Sequence, residues 1–149
     1  MPRPRELISS SPEETADIGR RLGERLQGGE VVLLFGALGA GKTQFVRGIS
    51  AGLGLDATGV RSPSYTLIME HTGKISLYHV DLFRLAVEDL PDLGLEDLYG
   101  PSSVVAVEWA ERLEEAGWDL GEAVVVEIDF HPQQRDGRIL ILNEELLPE

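Results

Sequence analysis

The sequence contains no cysteine, which excludes a disulfide framework, a thiol nucleophile and a cysteine-ligated zinc site. Positive charge is scarce: 13 Lys and Arg stand against 26 Asp and Glu, for a net charge of -13. A field of that sign repels polyanions and argues against stable, direct nucleic-acid binding by this chain alone. Lysine is rarer still, with Lys42 and Lys74 alone among arginines. No run approaches the roughly 18 apolar residues of a membrane-spanning helix, and residues 1–11 lack the apolar middle of a signal peptide. The expectation is a cytoplasmic protein without a membrane partner. At 149 residues the chain is expected to form a single domain, 1–149.

What is present reads as alternating strands and helices. Ser11-Pro12-Glu13-Glu14 is a helix start, with Ser11 as cap, Pro12 at the first helical position and Glu14 placed to return a capping-box bond. Ile18, Leu22 and Leu26 recur on one face until Gly28-Gly29. Residues 31–35, wholly apolar, predict a strand buried on both faces. A glycine-rich turn and a helix over residues 43–53 follow. Residues 66–70 and 75–80 predict a hairpin joined across His71-Thr72-Gly73-Lys74, residues 104–107 another buried strand, and residues 123–130 and 138–142 a closing strand pair. Beyond Asp89, Leu90-Pro91-Asp92-Leu93-Gly94 interrupts any regular pattern.

Gly36-Ala37-Leu38-Gly39-Ala40-Gly41-Lys42-Thr43 fills every fixed position of G-x-x-x-x-G-K-[ST], the phosphate-binding loop. Glycines let consecutive backbone N–H groups close around phosphate oxygens, and the helix behind presents its positive end to the same anion. Leu38, Gly39, Ala40, Gly41, Lys42, Thr43 and Gln44 are the candidate nucleotide-binding residues. Lys42 is placed for the β- and γ-phosphates, and the Thr43 hydroxyl for Mg²⁺.

Such a loop works with a carboxylate at the end of a neighbouring buried strand. Two acids qualify: Glu108, after residues 104–107, and Asp81, after residues 76–80. The residues alone leave open which of the two holds metal. Arg61-Ser62-Pro63-Ser64-Tyr65 reads by itself as a turn, although its hydroxyls also suit a segment that senses a γ-phosphate. His79 reads as a structural imidazole, Trp109 as packing, and Glu111, Glu114 and Glu115 as a solvated helix face.

Four segments, in this order and spacing, resemble the TsaE (YjeE) family of bacterial ATPases that serve threonylcarbamoyladenosine synthesis in transfer RNA. They are the glycine loop with its helix, Ser62-Pro63-Ser64-Tyr65, His79-Val80-Asp81-Leu82-Phe83-Arg84-Leu85, and Val107-Glu108-Trp109. Ala37, Ser64 and Phe83 depart from the residues common in the family, and Phe83 lacks a hydroxyl that the family's tyrosine carries. The resemblance implies a P-loop NTPase-like α/β fold, a three-layer sandwich with a mixed, largely parallel central sheet and a β-hairpin. It implies ATP and Mg²⁺ as cofactors, weak ATPase activity in isolation, and TsaB and TsaD as partners, with tRNA engaged only indirectly through that complex.

The expected function is hydrolysis of Mg-ATP to ADP and phosphate, resetting the TsaB–TsaD complex between turnovers. Lys42, Asp81 and Glu108 are the expected catalytic residues, Thr43, Glu108 and Asp81 the metal site, and Ser62 and Ser64 part of the nucleotide site. A nucleotide-gated assembly module with incidental hydrolysis and a small-molecule P-loop kinase are the alternatives.

Overall fold

The computed structural model describes residues 5–56 and 67–143. In chain order the elements are β1 (Arg5–Ser9), α1 (Pro12–Arg25), β2 (Val31–Phe35), α2 (Lys42–Gly52), β3 (Ile68–His71), β4 (Ser76–Asp81), β5 (Ser103–Glu108), α3 (Glu111–Glu115), β6 (Val124–Phe130) and β7 (Arg138–Leu142). The strands form one sheet in the order β1-β7-β6-β2-β5-β4-β3. Its middle, β6-β2-β5-β4, is parallel, while β3 at one side and β7 and β1 at the other run antiparallel. This is the mixed, largely parallel sheet with a hairpin that the sequence leads one to expect.

The local chemistry explains the boundaries. Ser11 Oγ accepts the Glu14 N–H at 3.1 Å and Pro12 opens α1, as the cap pattern requires. The Glu14 carboxylate, however, accepts the N–H of Ser10 at 2.7 Å, one residue before the cap. Helix α1 closes at Arg25, ahead of the glycine pair. Leu26 adopts extended backbone and enters the core, and Glu30 takes the freed N–H groups of Gln27 and Gly28 at 3.0 and 2.8 Å. Strand β4 begins and ends one residue later than its apolar pattern suggests, so Asp81 is its last residue. Strand β1 has no clear sequence signature, being five residues long at the sheet edge. It is held by its register with β7, Leu7 opposite Leu140. The interrupted stretch after Asp89 forms 3₁₀ turns at Val87–Leu93 and Leu95–Leu98.

Helices α1 and α2 cover one sheet face, burying Leu22, Phe45 and Ile49 against Val32, Leu34, Ala106 and Val126. Each such side chain contributes about 1.5–3 kcal/mol through the apolar surface removed from water. The 3₁₀ turns and α3 cover the other face over Leu33, Val105 and Val107. The two helices approach through glycines: a Cβ added at Gly48 would lie 1.9 Å from the Ala16 carbonyl oxygen. No helix among the described residues is long and apolar enough to cross a membrane.

Strand β2 has β5 on one side and β6 on the other, both parallel to it. The strand order therefore reverses at the carboxyl end of β2, the position where open α/β sheets bind ligands.

Candidate functional site

At that end the chain leaves Phe35 and enters the glycine loop. Gly41 caps α2 at φ 111°, a left-handed conformation that a side chain would strain. Helix α2 starts at Lys42, so the N–H groups of its first turn face the loop and carry the positive end of the helix dipole.

Lys42 is only 4% exposed. Its ammonium donates to the Gly36 carbonyl and, at 3.3 Å, to that of Ala37. It also lies 3.7 Å from the centre of the Trp109 ring, a cation–π contact. Burial pushes the Lys42 pKa below the ordinary lysine value, opposed by the nearby carboxylates of Glu111, Glu108 and Asp81. A cation held in so little water is poised to receive an anion.

The two acids expected at strand ends are neighbours. Asp81 ends β4, Glu108 ends β5, and the parallel register sets them opposite each other. Both are buried. The Thr43 hydroxyl donates to the Glu108 carboxylate at 2.9 and 3.1 Å, joining the first turn of α2 to the end of β5. His79, fully buried two residues before Asp81, donates from Nε2 to the same carboxylate. It is the hydrogen-bonded structural imidazole that its strand position suggests. Asp81 Oδ1 accepts the N–H of Phe83 at 2.9 Å, which fixes its rotamer.

Residues 38–44, Asp81 and Glu108 line one cavity of about 460 Å³, together with Leu67, Phe83, Arg84 and Trp109. The structure thus gathers every described residue of the expected site into a single opening. Ser62 and Ser64 lie outside the described residues.

Hard oxygen donors suit Mg²⁺, which binds through one or two protein groups and completes its shell with waters and substrate phosphates. The Thr43 hydroxyl and Glu108 carboxylate are such a pair, with Asp81 beside them. Among the described residues no group of three or more His, Asp or Glu is arranged to cage an ion without a co-ligand. The donor set fits a cation that arrives with a phosphate.

Three contributions escape a reading of the sequence. Trp109 packs in the second core as expected, but it also turns at φ 60°, a conformation costing about 1–2 kcal/mol for a residue with a Cβ. That turn folds its ring back over Lys42 and against Phe83, with centroids 4.7 Å apart. Glu111 departs from the solvated face assigned to it: half-buried, it accepts the Gly36 N–H at 3.0 Å, while Glu114 and Glu115 are exposed. Arg138, 98 residues beyond Ala40, donates to the loop's own carbonyls. The sequence carried a signal for Trp109, in the dipeptide that ends a buried strand beside a candidate acid, and for Arg138, which falls where the resembled family has a similar residue.

Comparison with known proteins places relatives of one family beside this chain. The family described as Threonylcarbamoyl adenosine biosynthesis protein TsaE matches residues 9–140. The tRNA threonylcarbamoyladenosine biosynthesis protein TsaE of Treponema pallidum is 42% identical over 107 residues, covering 71% of this chain and 78% of that protein. The protein of the same name from Nostoc sp. is 43% identical over 114 residues, covering 72% and 69%. Among solved structures, that of Bacillus subtilis YdiB superposes with a TM-score of 0.74 at 30% identity, covering 95% of this chain and 86% of that one.

Proposed function

The chain belongs to the TsaE family, and from that premise and the geometry of its site we propose that it hydrolyses Mg-ATP to ADP and phosphate in the service of tRNA threonylcarbamoyladenosine synthesis. The observation that carries this reading is the convergence of Lys42, Thr43, Asp81 and Glu108 on one cavity at the mouth of the glycine loop.

Backbone N–H groups of residues 39–43 hold the phosphates, aided by the positive end of α2. Lys42 neutralises charge on the γ-phosphate, and its low hydration makes that contact stronger than it would be in open water. Thr43 and Glu108 would hold Mg²⁺, which would supply positive charge against the phosphate oxygens as the bond from the γ-phosphorus to the bridging oxygen breaks. Asp81 orients the attacking water and draws on its proton. The Asp81 and Glu108 roles can exchange, since the two carboxylates are register neighbours.

TsaB and TsaD are the proposed partners, with this ATPase resetting their complex between turnovers. The charge of -13 supports contact with tRNA only through that complex. Steady-state hydrolysis of Mg-ATP and Mg-GTP, alone and with TsaB and TsaD, tests the reading. An ATP-selective rate that rises with the partners is expected. ATP binding without hydrolysis in either condition would replace it with a nucleotide-gated assembly module.

Glu108→Gln separates metal from nucleotide. It keeps the side-chain volume and a bond to Thr43 while removing the negative charge. ATP hydrolysis should fall on the order of 100-fold, whereas ADP affinity measured in EDTA should change by less than about threefold. Equal loss of both would show that Glu108 supports the loop and has no role toward the metal.

A further inference from the structure

The glycine loop is held from behind as well as open in front. Arg138 sits on β7, locked between β1 and β6 by its register with Ser9 and Phe130. Its guanidinium lies 4.6 Å from the centre of the Phe130 ring, and its Nη1 donates to the Gly137 carbonyl at 2.8 Å. From that anchored position Nε donates to the Ala40 carbonyl at 2.8 Å and Nη2 to the Gly39 carbonyl at 3.3 Å. Arg138 does not line the large cavity. It lines a separate small one on the far side of the loop with Pro12, Thr15 and Asp136.

The consequence follows from peptide geometry. A trans peptide is planar, so its N–H points opposite to its C=O. Drawing the Ala40 carbonyl toward Arg138 turns the Gly41 N–H away from β7, toward the side where Lys42 and Thr43 line the larger cavity. Drawing back the Gly39 carbonyl likewise aims the Ala40 N–H inward, where it donates to Ala37 at 3.1 Å and closes the turn at the loop's tip. Gly39 and Gly41, at φ 80° and 111°, have backbones free enough to need such a restraint.

We propose that Arg138 is a positioning residue for phosphate recognition: it holds two loop carbonyls outward so that the Gly41 amide faces the ligand, and the Ala40 amide closes the loop's turn, before the ligand arrives. The fork geometry is essential, because two carbonyls on successive residues are braced by one rigid planar group, which an ammonium cannot reproduce. The proposal rests on the reading of this loop as a nucleotide site.

Calorimetric titration of the full chain with ADP in EDTA tests it, using wild type, Arg138→Lys, Arg138→Met and Arg138→Ala. Wild type is titrated first, and if it does not bind ADP the nucleotide reading itself fails. With wild-type binding established, Arg138→Lys and Arg138→Met should both weaken ADP about tenfold, the loss of charge-assisted bonds to the loop. Millimolar ethylguanidinium should restore affinity to Arg138→Ala, and ethylammonium should not. Wild-type affinity in Arg138→Lys would overturn the proposal in favour of long-range charge. Weakened binding that follows a lowered unfolding midpoint and resists ethylguanidinium would reduce Arg138 to a structural residue.

Discussion

On the proposed function, Lys42→Ala should sharply reduce ATP turnover while leaving the fold in place. Loss of a positioned charge at a transferring phosphoryl group corresponds to a rate decrease on the order of 10²–10³-fold. The effect on stability should be modest because burial of the charge offsets part of what its contacts contribute. The side chain gives up two bonds to loop carbonyls and a contact with the Trp109 ring, together of the order of 2 kcal/mol. Against this, burial already disfavours its charged form, as the lowered pKa records. Thermal unfolding should therefore change by only a few degrees. Steady-state phosphate release and a melting curve on the same preparation make the comparison. An undiminished rate in Lys42→Ala would remove the glycine loop from the chemistry.

Gly48→Ala is the second large effect, and it falls on stability. At an exposed position in a helix, alanine would be favoured over glycine by about 1 kcal/mol. At Gly48 the new methyl would meet the Ala16 carbonyl oxygen at 1.9 Å, the Ala16 carbonyl carbon at 2.8 Å and the Arg20 nitrogen at 2.9 Å. These are backbone atoms of the facing helix and cannot rotate aside, so α1 and α2 must separate. Overpacking of this kind costs about 3 kcal/mol, and the clash outweighs the propensity gain. A net loss of about 2 kcal/mol corresponds to a fall of roughly 4–8 °C in the unfolding midpoint for a chain of this size. Gly100→Ala is the control, because a methyl there would meet only Ser103 Oγ at 3.6 Å, and it should shift stability by less than about 0.5 kcal/mol. Equal midpoints for the two variants would contradict the close helix crossing. Helix α2 also carries Lys42 and Thr43, so a displaced α2 should weaken nucleotide binding as well.

Much of the site is written locally. The glycine loop is a contiguous pattern whose chemistry depends on residues next to one another, and the apolar runs before Asp81 and Glu108 mark both as strand ends. Their juxtaposition is another matter. That Asp81 and Glu108 lie side by side follows from the parallel pairing of β4 with β5, and no spacing along the chain encodes it. Glu111 illustrates the limit: its neighbours Glu114 and Glu115 are exposed as their composition suggests, yet one turn earlier the same residue type is drawn to an N–H 75 residues away.

By itself the sequence determined the secondary elements of the core, the phosphate loop, the pair of candidate acids and the family, because each rests on short-range periodicity, turn chemistry or a contiguous motif. Tertiary structure alone decided which strand lies beside which, that β1 joins the sheet, how closely α1 and α2 approach, and that Trp109, Glu111 and Arg138 converge on the loop. Those outcomes depend on strand register, on a backbone turn with positive φ, and on contacts across tens of residues, where side-chain identity leaves many partners open until packing selects one.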